Sequence, residues 1–150
     1  MRNEASSRPH IVLIEDNPSD VYLMRLALEE SGLVFEMTNF QSGADALLTL
    51  IPAAGTEPLI PDLILLDLNT PRSDGFEVLA SIRANASLAG VPVGIVTSSA
   101  SPADKHRAGL IGATTYIQKP TQLAAFMDGV GSAVKRLLAD GQAGSGLGQD

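Results

Sequence analysis

Residues 63–79 read LILLDLNTPRSDGFEVL, and this stretch decides the fold class of the chain. Leu63 to Leu66 are apolar at every position, which is typical of a parallel strand that is covered on both faces. Asp67 ends the apolar run, a turn that contains proline and glycine comes next, and Phe76 to Ile82 have the apolar spacing of a helix. A buried strand that leads through a short turn into a helix indicates an α/β fold.

The same alternation of strand and helix continues on both sides of this stretch. Helix starts are marked twice by a capping residue, a proline and an acid, in Asn17-Pro18-Ser19-Asp20 and in Ser101-Pro102-Ala103-Asp104. Five strands and five helices in strict alternation predict a parallel sheet with helices on both faces. Right-handed crossovers favour the doubly wound strand order 2-1-3-4-5. The predicted strands are 11–14, 33–40, 63–66, 91–96 and 115–118. The predicted core face of the last helix consists of Leu123, Phe126, Val130, Val134 and Leu137.

The composition limits the classes of function. The chain has 150 residues, 45% of them hydrophobic, which predicts one globular domain. The absence of cysteine excludes disulfides, thiol catalysis and zinc–thiolate sites. A net charge of -7 disfavours nucleic-acid binding, because the phosphate backbone repels an acidic surface. No apolar run approaches ~18 residues and residues 1–10 lack a signal-peptide core, so we predict no membrane span and expect a cytoplasmic protein.

The two ends of the chain differ from its middle. Residues 1–9 are polar, and residues 141–150 read GQAGSGLGQD and are rich in glycine. We therefore predict a flexible arm over residues 1–9, a folded domain over residues 10–140 and a flexible tail over residues 141–150.

Polar residues come directly after the predicted strands, at the point where each strand ends. Glu15 and Asp16 follow the first strand, Asp67 follows the third, Thr97 the fourth and Lys119 the fifth. In an open parallel sheet, ligands bind beyond the carboxyl ends of the strands where the strand order reverses, here between strands one and three. Three converging carboxylates repel one another, and Mg²⁺, which prefers oxygen ligands, relieves that repulsion. Each acid alone is as typical of a solvated loop, but the ordered set predicts a magnesium site.

Asp67 is the candidate nucleophile of this set. A carboxylate can attack phosphorus and form an acyl phosphate. Lys119 would offer a fixed positive charge to one phosphoryl oxygen, and Thr97 a hydroxyl donor to another. Taken alone, Lys119 is more typical of a solvated surface and Thr97 of a local hydrogen bond, so this prediction depends on their positions.

Four stretches resemble the bacterial receiver-domain family of two-component signalling, namely IVLIEDNPSD, LILLDLNTPRSDGFEVL, VTSS and YIQKP. The resemblance covers residues 11–138 and implies the flavodoxin-like fold of CheY-like receivers. It implies a response regulator, not an enzyme, that accepts a phosphoryl group on Asp67 from a sensor histidine kinase. By position, it also implies that Mg²⁺ is bound by the acidic pair Glu15 and Asp16, by Asp67 and by the backbone carbonyl of Asn69.

The resemblance also implies which residues change conformation when Asp67 is phosphorylated. Thr97 matches the switch hydroxyl, Tyr116 the switch aromatic and Lys119 the phosphate-sensing lysine. The bond between Lys119 and Pro120 would be a cis peptide, which X–Pro bonds tolerate.

Within this family, EDNPSDVYLMRLALEE and LDLNTPRSDG are most similar to regulators that work with phytochrome kinases. The narrower resemblance implies a phytochrome-type kinase as partner and a homodimer through the face between the fourth and fifth helices. Tyr22 is predicted to face outward, where it could anchor a kinase, although a singly exposed aromatic without a role is equally typical.

Two positions depart from the family pattern. Thr70 stands where Met or Leu is usual, and Gly94 where a branched apolar residue is usual.

Alternative functions remain open at this point. A flavin-binding electron carrier has the same winding, but Glu15 and Asp16 would repel a flavin phosphate. A Mg²⁺-dependent aspartyl phosphatase needs a general acid beside its nucleophile, and the amide of Asn69 cannot serve as one. The complete residue set argues against a receiver used only for docking, while a role as a phosphorelay intermediate stays open. His10 and His106 lie away from the strand ends and are interpreted as structural or surface residues.

Overall fold

A computed structural model describes residues 8–70, 74–119 and 122–147. Strands and helices alternate along the chain. The strands are β1 (His10–Ile14), β2 (Glu36–Phe40), β3 (Leu63–Leu66), β4 (Val93–Thr97) and β5 (Thr115–Gln118). The helices are α1 (Pro18–Glu30), α2 (Gly43–Leu50), α3 (Gly75–Ala84), α4 (Pro102–Ile111) and α5 (Leu123–Leu147). A 3-10 turn (Ala86–Leu88), which the sequence did not predict, comes after α3.

The five strands form one parallel sheet in the order β2-β1-β3-β4-β5, which confirms the predicted winding. The strand order reverses at β1, so the ends of β1 and β3 form the crevice in which such folds bind ligands. Ile14 of β1 pairs with Leu66 of β3 in the register, and each is the last residue of its strand. The next residues along the chain, Glu15 and Asp67, therefore enter the crevice side by side.

Alternate residues of the strands pack into two separate cores, one on each face of the sheet. Val12 and Ile14 point toward α2, α3 and α4, whereas Ile11 and Leu13 point toward α1 and α5. All four residues of β3 are buried, as expected for a central strand with helices on both faces. The predicted core face of α5 is confirmed for the four positions whose side chains are described: Phe126, Val130, Val134 and Leu137.

Side chains cap the helices where the sequence predicted. The Asn17 side chain accepts hydrogen bonds from the backbone N–H groups of Ser19 and Asp20, and Pro18 occupies the first turn of α1. Ser101 caps α4 in the same way by accepting from the N–H of Asp104. These caps fix where α1 and α4 leave the sheet edge, because they satisfy N–H groups that have no partner inside the helix.

Two predicted boundaries differ from those observed at the start of the sheet. The second strand begins at Glu36 rather than at residue 33, because the N–H of Leu33 bonds to the carbonyl of Leu28 and completes the end of α1. The predicted arm over residues 1–9 is already attached at Pro9, whose carbonyl accepts from the N–H of Glu36. Residues 1–7 lie outside the described residues.

At the carboxyl end, α5 continues through residues 141–147, and the flexible tail over residues 141–150 stays a prediction. Extending an existing helix costs far less than starting a new one, so glycines just beyond a packed helix do not by themselves end it. In the part of the chain that is described, no helix combines the length and hydropathy needed to cross a membrane.

Gly94 has a packing explanation. It is buried in β4, and a Cβ atom placed there would lie 3.0 Å from Cδ1 of Leu137 and 3.1 Å from Cδ2 of Leu65. The missing side chain therefore lets Leu137 of α5 approach the sheet closely. A branched apolar residue at this position would compete with Leu137 for the same space.

We expect Gly94→Val to lower the free energy of unfolding by about 1–3 kcal/mol, because it overpacks this contact. Combining Gly94→Val with Leu137→Ala should give a smaller loss than the sum of the two single losses, since the valine then fills space that the leucine leaves. Denaturant unfolding measures all three variants. Gly90→Val is the control, because a Cβ at exposed Gly90 meets nothing within 4 Å. Strict additivity of the two core changes would contradict the explanation.

Candidate functional site

The carboxyl ends of β1 and β3 position the two acids at the centre of the site. The N–H of Asp67 donates to the carbonyl of Ile14 (3.1 Å), and the N–H of Glu15 donates to the carbonyl of Phe40 (2.9 Å), so both backbones continue the sheet's hydrogen bonding. Glu15 is 3% exposed and Asp67 7% exposed. Two carboxylates are thus held side by side in a poorly solvated crevice, which requires a nearby cation.

Lys119 supplies that cation from the end of β5. Its Nζ atom lies 2.7 Å from Oε1 of Glu15, 2.8 Å from Oδ2 of Asp20 and 3.0 Å from Oδ2 of Asp67. The backbone N–H of Lys119 donates to the carbonyl of Thr97 at 2.7 Å, which fixes the base of its side chain against β4. The predicted residues Glu15, Asp67 and Lys119 therefore form one cluster.

The electrostatics of this cluster reflect both burial and pairing. Burial raises the pKa of the Glu15 carboxyl to about 7, and the charge of Asp67 adds to that rise while Lys119 opposes it. Burial alone would lower the pKa of Lys119, but hydrogen bonds to Asp20 and Glu15 and the charge of Asp67 outweigh it and raise that pKa. Lys119 is therefore a permanent positive charge, while Glu15 carries a negative charge that the site holds only at a cost.

Among the described residues, the acids at the site outnumber the cation that faces them. Asp16 is half-buried next to Glu15 and forms no hydrogen bond or ion pair with the described residues. Within residues 8–70, 74–119 and 122–147, no three acidic or histidine side chains surround a common point ready to hold a metal ion. Lys119 stands between Glu15 and Asp67 instead. The donor set still fits Mg²⁺ chemically, because it offers several carboxylate oxygens and an excess of negative charge.

A chain of hydrogen bonds leads from Asp67 along the ends of β3, β4 and β5. The N–H of Asn69 donates to Oδ1 of Asp67 (2.9 Å), and Nδ2 of Asn69 donates to Oγ1 of Thr97 (3.1 Å). Oγ1 of Thr97 also accepts from the N–H of Ser99 (3.3 Å), whose carbonyl accepts from the hydroxyl of Tyr116 (3.1 Å). Thr97 is fully buried and central to this chain. Three intervening residues therefore connect Asp67 to Tyr116 by hydrogen bonds.

Two residues of the site, Asp20 and Ser99, were not predicted from the sequence. In the sequence, Asp20 already has an explanation as the acid in the first turn of α1, so its ion pair with Lys119 was not expected. Ser99 contributes through its backbone, which a pattern of side chains does not indicate. The available signal was the position of Asp20, because it lies in the first turn of the helix that follows β1 after three residues.

Other predicted features lie elsewhere or outside the described residues. His10 pairs with the hydroxyl of Thr38 (2.7 Å) at the amino ends of the strands, opposite the site, and His106 is exposed on α4. Pro120, and with it the predicted cis peptide bond, lies outside the described residues. Oγ1 of Thr70 is buried without a hydrogen-bond partner among the described residues, so hydrogen bonding does not explain this departure from the family pattern.

Comparisons with known sequences identify the family. The family model for the response regulator receiver domain matches residues 11–130. The chain is 33% identical over 124 residues to response regulator Rcp1 of Synechocystis sp., which covers 82% of this chain and 84% of Rcp1. It is also 34% identical over 110 residues to the probable methanogenesis regulatory protein FilR2 of Methanothrix harundinacea, covering 73% of this chain and 71% of FilR2.

Solved structures agree with this result. The phosphorylated cyanobacterial phytochrome response regulator RcpA superposes with a TM-score of 0.78 at 31% identity and covers 89% of this chain and 96% of RcpA. The Mn²⁺-bound form of Rcp1 superposes with a TM-score of 0.75 at 32% identity and covers 83% of this chain and 90% of that structure. The winding, the residues at the strand ends and both comparisons agree, and the chain belongs to the response regulator receiver domain family.

Proposed function

We propose that this protein is a response regulator that accepts a phosphoryl group on Asp67 from a histidine kinase. The observation that carries the proposal is the environment of the Asp67 carboxylate. Its Oδ2 atom lies 3.0 Å from Nζ of Lys119, and its Oδ1 atom accepts from the N–H of Asn69 at 2.9 Å. Both oxygens are thus oriented by donors, and the side chain is at the sheet edge where the strand order reverses.

In the proposed reaction, a carboxylate oxygen of Asp67 attacks the phosphorus of a phosphohistidine. A P–O bond forms as the P–N bond breaks, and the leaving imidazole keeps the bonding pair and takes up a proton from water. Lys119 stabilises the negative charge of the phosphoryl oxygens, because it is already hydrogen-bonded to Asp67 and permanently charged. The Thr97 hydroxyl can donate to another phosphoryl oxygen after it turns toward Asp67, since Oγ1 now only accepts in the contacts described.

The residues that would hold Mg²⁺ are Glu15, Asp16, Asp67 and the backbone carbonyl of Asn69. A bound Mg²⁺ supplies charge neutralisation between the acids and the incoming phosphoryl group. Two facts support this assignment. The acids outnumber Lys119, and a related protein, Rcp1, has been solved in an Mn²⁺-bound form.

The relatives support a phytochrome-type histidine kinase as the phosphoryl donor, since RcpA is a cyanobacterial phytochrome response regulator. Tyr22 is 64% exposed on α1, just beyond the acidic pair, and is our candidate anchor for that kinase.

The homodimer, the cytoplasmic location and a role as a phosphorelay intermediate stay predictions. Exposed Leu110 on α4 supports self-association through the face formed by α4, β5 and α5.

A phosphatase activity remains the disfavoured alternative. The side chain two positions after the nucleophile is the amide of Asn69, and it donates to Thr97. Neither histidine is near Asp67, since His10 lies at the opposite edge of the sheet and His106 on the exposed surface of α4. Among the described residues, therefore, no histidine stands beside Asp67 to act as the general acid and base of a fast hydrolysis.

Phosphorylation itself gives the first test. Incubation with acetyl phosphate and Mg²⁺ should add the mass of one phosphoryl group to the intact protein, and Asp67→Asn should abolish the addition, because a neutral amide is a poor nucleophile. Intact-mass spectrometry measures both. Asp45→Asn, at an exposed first-turn acid of α2, is the control and should react like the wild type. Modification of the Asp67→Asn protein would contradict the assignment.

Metal binding gives the second test. A hundredfold excess of Mg²⁺ over its Kd should stabilise the protein by about 2.7 kcal/mol, because only the folded chain gathers the ligands. For a domain of this size that raises Tm by roughly 5–10 °C. Asp16→Ala should lose most of the gain, whereas Glu57→Ala, in an exposed loop, should keep it. Differential scanning calorimetry with and without Mg²⁺ decides the matter, and a Tm that ignores Mg²⁺ in the wild type would rule out the site.

The hydrogen-bond chain gives the third test. Thr97→Ala should still accept a phosphoryl group on Asp67 but should transmit less of the change to Tyr116, because it removes the hydroxyl between Asn69 and Ser99. The variant should also lose about 1 kcal/mol of stability for the missing hydrogen bonds. Amide chemical shifts of α4 and β5, with and without phosphoryl donor, measure the response. Ser98→Ala is the exposed neighbouring control. Shifts in Thr97→Ala equal to those of the wild type would show that Thr97 is not the coupler.

A further inference from the structure

Lys119 has no spare donor in this structure. A lysine ammonium has three N–H groups, and Glu15, Asp20 and Asp67 each accept a hydrogen bond from it. If Lys119 is to contact a phosphoryl oxygen, as the proposed function requires, one of the three contacts has to break. One of the hydrogen bonds that Lys119 donates before phosphorylation therefore has to be replaced by a bond to the phosphoryl group.

The three partners differ in how easily they can be released. In the metal-free site, the 4% exposed side chain of Glu15 would be a buried, unpaired charge without Lys119. The bond to Asp67 passes to the phosphoryl group that forms on that same residue. The side chain of Asp20 is 31% exposed. Water can solvate its carboxylate when Lys119 leaves, which makes this the bond that breaks at the lowest cost.

Charge acts in the same direction. A phosphoryl group replaces the single negative charge of Asp67 with about two. Asp20 is close enough to share an ammonium with Asp67, so its carboxylate would repel the added charge as well as compete for the same donor.

We propose that Asp20 is a positioning residue that holds Lys119 before phosphorylation and competes with the phosphoryl group for it. This inference rests on the proposed function of Asp67. Removing the charge of Asp20 should leave Lys119 better able to bind the phosphoryl group and should favour the phosphorylated state. Because Asp20 is in the first turn of α1, its release also makes the start of that helix respond to the state of Asp67.

Asp20 has a second role that the experiment must separate. It is the first-turn acid of α1, where a negative charge stabilises the helix end. Asp45 has the same position in α2, three residues after its cap Ser42, but it is exposed and is not among the residues that Lys119 contacts. Asp45→Asn therefore removes an equivalent helix contribution and leaves Lys119 unchanged, which makes it the matched control for Asp20→Asn.

The first measurement is the affinity for beryllofluoride, a non-covalent analogue of the phosphoryl group, at saturating Mg²⁺. Amide chemical shifts follow the titration. Asp20→Asn should bind about three- to tenfold more tightly than the wild type, where tenfold corresponds to about 1.4 kcal/mol. Asp45→Asn should bind like the wild type. Equal or weaker binding by Asp20→Asn would overturn the proposal.

The second measurement needs neither metal nor phosphoryl analogue. Hydrogen exchange at lysine Nζ, followed by NMR of the ammonium groups, reports how firmly Lys119 is held. The chain has two other lysines, Lys105 and Lys135, both exposed, which serve as internal references. Exchange at Lys119 should be several-fold faster in Asp20→Asn and close to the wild-type rate in Asp20→Glu, which restores the carboxylate. An unchanged rate in Asp20→Asn would show that Asp20 does not hold the lysine.

The two measurements also separate this inference from the proposed function. If acetyl phosphate fails to modify wild-type Asp67, the proposed function is wrong, yet the exchange rate of Lys119 still tests the contact with Asp20. If Asp67 is modified and Asp20→Asn behaves like Asp45→Asn in both measurements, the function stands and the role of Asp20 is wrong.

Discussion

The rest of the site depends on one constraint, which is that two carboxylates are buried side by side at the edge of the sheet. The register of β1 and β3 determines this arrangement, because Ile14 and Leu66 are paired and the residues directly after them enter the same crevice. Burial raises the pKa of Glu15, so its negative charge is tolerated only with a cation nearby. Lys119 meets that need from the end of β5, two strands away from β3. The ion pairs thus connect strands that do not touch.

The scaffold permits this arrangement through close backbone packing as much as through charge. A Cβ at Gly75 would lie 2.5 Å from the Cα atom of Leu68, so only glycine lets α3 begin directly against the segment next to Asp67. Gly94 acts on the other face, where its missing side chain admits Leu137 of α5. Gly75 brings α3 close to the end of β3, and Gly94 brings α5 close to β3 and β4. A rigid scaffold of this kind keeps functional side chains in a defined geometry.

Periodicity and strand order were sufficient to predict much of the site from the sequence. Short buried runs with polar residues at their ends predict the winding, the proximity of Glu15 to Asp67 and the position of Lys119. They could not predict the ion pair of Asp20, because a first-turn acid already has a sufficient local explanation. Nor could they explain Gly94, since the reason is a contact with Leu137, which is far away in the chain. Local patterns predict local structure well, but they say little about which distant side chain occupies a given space.

The same cluster connects the site to two parts of the surface. Lys119 contacts Asp20 at the start of α1, whereas Asp67 leads through Asn69 and Thr97 to Tyr116 on β5. Contiguity alone does not establish coupling, because coupling requires an element with two discrete arrangements. Each branch here contains one bond that must be exchanged if a phosphoryl group is added at Asp67. One is the bond from Lys119 to Asp20, and the other is the bond from Asn69 to Thr97. Since the same added charge drives both exchanges, α1 and the β4–α4 segment should respond together and not independently.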